Sequence, residues 1–253
     1  MPSISKFGRN RVVANNTTED VTADGGSYDW ATANETLFIS SSDDTDTMVL
    51  TIKKPLKEVG DEWLEQPNEV ITLTGQTQKT ILGSYIRTNR MSVKSTNAGI
   101  IYLYATSGNT GGVPDTATSI RATIAVGACQ TEMALWTVPS NWGPFSRAWI
   151  WMIRPGLNNV DGASGAREVD YVFCQRPYGE DFTVVENYPV VKDGNQSPVY
   201  YPPAPWPTNE GLPGKTDLLV TASAEGGACD CSFSFQVVSA PNGTRYNPGS
   251  VRT

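Results

Sequence analysis

Twenty-six acidic residues, four cysteines and no histidine are what this chain has to do chemistry with. Losing histidine removes the commonest general base and the commonest metal ligand. Ser-His-Asp and Cys-His catalysis are excluded outright. Asp43, Asp44 and Asp46 share a polar loop and are the right residue type for calcium. They lack the Gly-kinked spacing and terminal Glu of an EF-hand loop, and Asp and Ser are also the ordinary currency of turns. Cys229-Asp230-Cys231 puts two sulfurs on one side of a strand. Cys129 and Cys174 would have to join them to complete a four-thiolate zinc site, and no spacing requires it. Glu62, Glu65, Glu168 and Asp170 are candidates for a glycosidase pair only as the acids of any β-sandwich are. Gly108 to Gly112 has neither the lysine nor the following helix of a phosphate loop. Trp136, Trp149 and Trp151 fall within strands, where core packing or subunit contact explains them. Trp142, Trp206 and Tyr200 fall in loops and are the better candidates for stacking on a ligand such as a sugar. The expectation is a protein that is not an enzyme, with no metal and no cofactor.

Bulk properties narrow the class further. A net charge of −7 and a pI near 4.7 argue against generic nucleic-acid binding, which wants a basic stripe. No apolar run approaches the roughly 20 residues of a spanning helix, so no membrane partner is expected. Met1 to Lys6 contains no apolar h-region, so no signal peptide is expected. Four cysteines in 253 residues are too few for a disulfide scaffold.

The elements that would position these residues read as strands almost throughout. Twenty-three Gly and 17 Pro punctuate short alternating runs, which fits a turn-dense all-β chain. Thr36–Ser40, Met48–Lys53, Glu69–Thr74, Ile81–Thr88, Arg90–Lys94 and Ile100–Tyr104 are candidate strands. Ile120–Val126 pairs back on Ile100–Tyr104 through a Gly-rich loop. Lys53 to Pro67, crowded by Pro55, Gly60 and Pro67, reads as a long loop carrying Trp63. In the apolar run Arg147–Arg154, alternation places Trp149, Trp151 and Ile153 on one face and Ile150 and Met152 on the other. A strand apolar on both faces is central or lies under a neighbouring subunit. Glu168–Gln175 is a further strand, and Leu218–Ala222 is expected to pair with Ser232–Val237. The expected fold is all-β, a β-sandwich or jelly-roll-like domain with an extended N-terminal arm. The arm covers 1–27 and the sandwich 28–240, as one sandwich or two packed sub-sandwiches. A Pro-rich connector spans 198–215 and a loose tail 241–253.

Several segments, taken in order, resemble a family of tailed-bacteriophage virion structural proteins common in marine phages. They are Phe7-Gly8-Arg9-Asn10, Glu19-Asp20-Val21, Gly25 to Trp30, Leu37 to Asp44, Glu69 to Gly75, Arg87 to Arg90, Asn97 to Ile101, Ile124 to Gly127, Gln130 to Ala134, and Thr137-Val138-Pro139. The resemblance runs well over 7–139 and more loosely beyond. Pro213-Gly214-Lys215 and Cys229 to Cys231 depart from the family pattern. The resemblance implies a virion component made in the host cytoplasm. A capsid decoration or cement protein comes first, with a neck, tail or fibre-base component or a host-glycan-binding module as alternatives. The implied partners are the major capsid protein and further copies of the chain. Phe7, Arg9, Asn10 and Arg11 in the arm, with Trp149 and Trp151, are the expected assembly contacts.

Overall fold

The computed structural model describes residues 3–140, 142, 147–159, 168–191 and 211–240. The chain is all-β. In chain order the strands are β1 (Ser3–Val13), β2 (Thr18–Asp20), β3 (Glu35–Ser41), β4 (Val49–Ile52), β5 (Leu56–Val59), β6 (Glu62–Glu65), β7 (Glu69–Thr72), β8 (Lys79–Tyr85), β9 (Met91–Val93) and β10 (Ile101–Tyr104). There follow β11 (Asn109–Thr110), β12 (Val113–Pro114), β13 (Ile120–Ile124), β14 (Leu135–Thr137), β15 (Arg147–Asn159), β16 (Glu168–Arg176), β17 (Thr183–Val191), β18 (Asp217–Glu225) and β19 (Cys229–Ala240). One 3-10 turn, Ala117–Ser119, precedes β13. The chain divides into two units, one of residues 1–7, 11–21 and 134–253, the other of 8–10 and 22–133.

The first unit is a β-sandwich. One sheet has the order β1-β19-β15; the other is β14-β18-β16-β17, with β2 also on β18. Alternation decides what faces inward: Val169, Tyr171 and Phe173 from β16, Val220, Ala222 and Ala224 from β18, and Phe233, Phe235 and Val237 from β19 share one core. Phe173 meets Phe235 edge to face at 5.3 Å, and Tyr171 meets Phe233 at 5.4 Å. Offset and edge-on contacts of this kind add to what area burial contributes.

The second unit carries a four-stranded sheet, β13-β10-β3-β8, a three-stranded sheet, β7-β4-β9, and the two hairpins β5-β6 and β11-β12. Leu37 and Ile39 of β3, Leu50 and Ile52 of β4, and Ile101 and Leu103 of β10 are fully buried. All four residues of β10 are buried, as a central strand covered on both faces should be.

Four expectations from the sequence change. The terminal strands do not form a hairpin: β18 and β19 lie in different sheets of the sandwich. Gly226 and Gly227, both at positive φ, carry the chain from one sheet to the other. The alternation in β15 breaks at a bulge between Ile150 and Met152, where Trp151 has no cross-strand partner. The extra residue shifts the facing by one, so Ala148, Ile150 and Ile153 all reach the core. β15 also ends its sheet rather than running through the centre. Residues 53–67 hold a tight hairpin in which Glu58 pairs with Trp63; Gly60 turns it, and the prolines lie outside the paired residues. The fourth concerns the extended arm expected over 1–27, much of which is built into the sandwich. β1 is laid on β19 and β2 on β18, and Val13 and Val21 enter the sandwich core. Residues 198–210 of the Pro-rich connector and the whole of the tail fall outside the described residues.

Candidate functional site

The expected contact residues are brought onto two strands. On β1, Phe7 is 39% exposed, Arg9 and Arg11 are half-buried, and Asn10 is buried. Phe7 and Asn10 therefore sit on opposite faces. Trp149 and Trp151 lie in β15, Trp149 opposite Val238 and Trp151 at the bulge; their side chains fall outside the described part. Trp142, read as a loop residue open to ligand, is 8% exposed and stacks at 4.8 Å on the buried Trp136. It is core. Trp206 and Tyr200 lie outside the described residues.

The acidic loop turns out to be a structural node. Asp46 is 2% exposed and its carboxylate accepts from the Ser41 hydroxyl at 2.6 Å and the Ala98 and Gly99 amides at 2.8 and 3.0 Å. The Ser41 amide donates to the Gly75 carbonyl, the Gly75 amide to the Asp46 carbonyl, and the Ser42 amide to the Ile100 carbonyl. The Ser42 hydroxyl takes the Ile100 amide, and the Ser40 hydroxyl donates to the Gly112 carbonyl. Three glycines let this backbone close up. A Cβ on Gly112, at φ +78°, would lie 1.7 Å from the Ser41 carbonyl oxygen. One on Gly75 would lie 2.3 Å from the Asp44 carbonyl oxygen, and one on Gly99 2.5 Å from the Asp43 amide nitrogen. Asp43 itself is only partly buried and accepts from the Thr45 hydroxyl and amide, which hold its carboxyl below the usual range.

A second node centres on Arg87, 4% exposed. Its guanidinium lies 4.9 Å from the Trp30 ring and 4.7 Å from the Trp63 ring, and donates to the Ala31 and Ile86 carbonyls. A cation clamped by two indoles and its own hydrogen bonds is a fixed strut.

The thiols are quiet. Cys229 and Cys231 are fully buried on one face of β19, and burial pushes the Cys231 thiol up to about 12. Burial, then the charge of Asp20, raises Cys174. Thiols raised in this way are poor nucleophiles and poor ligands. Among the described residues no cluster of three or more Cys, Asp or Glu is placed to hold a metal ion. No helix among them is long and apolar enough to cross a membrane.

One cleft, of about 250 Å³, opens in the second unit; it is lined by Thr22 to Asp29 in part, by Ala117 to Ala122 in part, and by Met133. Arg121 of β13 reaches across β10 to the Glu35 carboxylate at the start of β3, donating at 2.6 and 2.8 Å, with Asp29 at 3.4 Å. Burial alone would lower the Arg121 guanidinium; Glu35, Tyr28 and Asp29 more than reverse it. Burial raises the Asp24 carboxyl, although the Thr123 hydroxyl donates to it at 2.8 Å. No signal in the sequence pairs Asp29 with Arg121 or Asp24 with Thr123, 92 and 99 positions away.

No family model matches the chain, and no curated protein matches it significantly. Among solved structures it is similar to that of the infectious bursal disease virus Gt strain, at 11% identity over 99% of this chain and 74% of that one, with a TM-score of 0.24. It is likewise similar to the VP2 subviral particle of infectious bursal disease virus, at 11% identity over 99% and 74%, with a TM-score of 0.19. TM-scores this low leave the topologies unmatched.

Proposed function

We propose that this chain is a structural protein of a virion, and specifically a decoration or cement protein on the head of a tailed phage. The observation that carries the reading is the use made of the segments that resemble the phage family. Leu37 to Asp44, Glu69 to Gly75 and Asn97 to Ile101 converge on the single node around Asp46, and Gly25 to Trp30 and Arg87 to Arg90 meet at the Arg87 clamp. Residues of these types would serve a catalytic site by facing a ligand. Here they are spent on holding loops to one another, which is what a shape-keeping protein requires. Edge strands supply the means of assembly. Among the described residues β15, with Trp149 and Trp151, and β17 each end a sheet of the sandwich; Leu212 bridges β15 at Ala148, and the stretches of edge beyond such a bridge can be extended by a neighbouring strand. Many copies on a symmetric shell would make modest contacts strong.

Adding the purified chain to phage heads that lack it tests this. The expected result is saturable co-sedimentation at many copies per head, with DNA release moved to higher temperature. Binding of a few copies at one vertex would shift the assignment to the neck or tail. No binding to heads, together with retention on host polysaccharide, would overturn it in favour of a glycan-binding module.

A further inference from the structure

We propose that the cleft beside Arg121 receives a lysine side chain from a neighbouring protein. The reasoning starts from what the lining still has to offer. Arg121, its one cation, is committed to Glu35 through two hydrogen bonds and also faces Asp29. Left over are acceptors. Asp29 keeps a largely exposed carboxylate, with a side chain 57% exposed. Asp24 has only the Thr123 hydroxyl on Oδ2, and among the described residues no cation pairs with it. Thr22, 5% exposed, also lines the cleft, and its hydroxyl makes no hydrogen bond among the described residues. A hydroxyl and a carboxylate with acceptor capacity to spare favour something that can donate to both.

The chemistry of that something follows. An ammonium has three donors and no acceptor, matching a lining rich in acceptors. Ile120, Ala122 and Met133 supply apolar wall for the methylene stem that a lysine carries behind its charge. Burial that raises the Asp24 carboxyl is relieved when a cation arrives beside it. A sugar is a poorer match. It needs donors as well as acceptors, and a flat aromatic face, whereas Tyr28 packs edge-on against Trp30 at 4.9 Å and gives its hydroxyl to the Arg121 carbonyl. We assign the donor to a different, more basic protein, because a net charge of −7 draws a basic partner more strongly than another acidic copy. Which neighbour supplies the lysine rests on the virion reading; the specificity of the cleft does not.

The test is an amide NMR titration of the full purified chain. The probes are Nα-acetyl-lysine methylamide, the norleucine analogue that lacks the ammonium, and methyl glucoside. Saturable shifts confined to Thr22, Asp24 and Asp29 and their neighbours are expected with the lysine amide alone. Asp24→Asn keeps the acceptor for Thr123 and should leave the rest of the spectrum unchanged while weakening the lysine probe about tenfold. Thr22→Val should weaken it less. Equal shifts from norleucine, stronger shifts from the glucoside, no shifts at all, or indifference to Asp24→Asn would each overturn the proposal. Self-association abolished by Asp24→Asn in sedimentation would overturn the choice of a different protein. Failure on phage heads with a positive titration would remove the virion reading and leave the lysine site standing.

Discussion

The two units reach the same secondary structure by different means. In the first, two sheets close over a continuous apolar core in which Tyr171, Phe173, Phe233 and Phe235 interlock. Among the described residues fewer of its polar groups are buried; one is Asp217, which accepts from Arg176 at 2.7 Å. In the second, short strands of two to seven residues alternate with long loops, and buried polar groups fix the loops: Asp46, Arg87, Asn97 and Arg121 are each under 8% exposed. Apolar packing is forgiving of sequence so long as volume and pattern are kept. A buried carboxylate with three donors is not, because each lost partner leaves a desolvated group behind. The first unit should therefore tolerate conservative substitution in its core, and the second should be brittle at a few named positions.

The largest effect should come from Gly112→Ala. A Cβ there meets the Ser41 carbonyl at 1.7 Å in a left-handed conformation, and about 3–5 kcal/mol of stability should be lost. A change within about 1 kcal/mol in denaturant unfolding would break the picture of a rigid loop node. Phe233→Ala should cost about 3–4 kcal/mol through the cavity it leaves, while Phe233→Leu should cost clearly less. Hydrogen exchange should rise first in β16, β18 and β19. Asp46→Asn is nearly isosteric but turns a donor toward the Ala98 and Gly99 amides; a loss of about 2 kcal/mol is expected, with exchange rising around 41–46 and 97–100. Were Asp46→Asn as mild as a surface change, the contrast between the units would collapse.

The last effect is absent at neutral pH and confined to alkaline solution and to the sandwich. Cys231 titrates near 9 when unfolded and about 12 when folded. Between these values the unfolded chain has already released its proton and the folded chain has not. Stability is therefore fully present below pH 9 and falls as pH rises toward 12, by at most about 1.4 kcal/mol per pH unit. Cys231→Ser should flatten the alkaline decline in the unfolding midpoint. An unchanged slope would show that the thiol is not shielded from water.

Strand content was legible because alternation is a local property. Leu50 and Ile52 face inward as their spacing says, and Ile101 to Tyr104, apolar throughout, is covered on both faces. Facing failed at Trp151, since one inserted residue inverts all that follows and composition does not mark it. β17 was missed because an edge strand exposed along much of its length, carrying Glu186, Asn187 and Pro189, shows no clean period. The pairing of the last two strands was misread because a hairpin and a crossing between sheets have the same turn residues. The nodes were illegible for a different reason. Asp46 meets Gly99 across 53 positions and Arg121 meets Glu35 across 86, and long-range pairing leaves no local trace. The segments that meet at Asp46 could be read one by one; the single node they build could not.

The central claim is that these nodes serve a shape carried in many copies on a virion. Quantitative mass spectrometry of purified virions, referenced to the major capsid protein, tests it most directly. A copy number equal to that of the shell protein, or a simple symmetry-set fraction of it, is the predicted result. A number matching the portal or tail proteins, or absence from the particle, would contradict it.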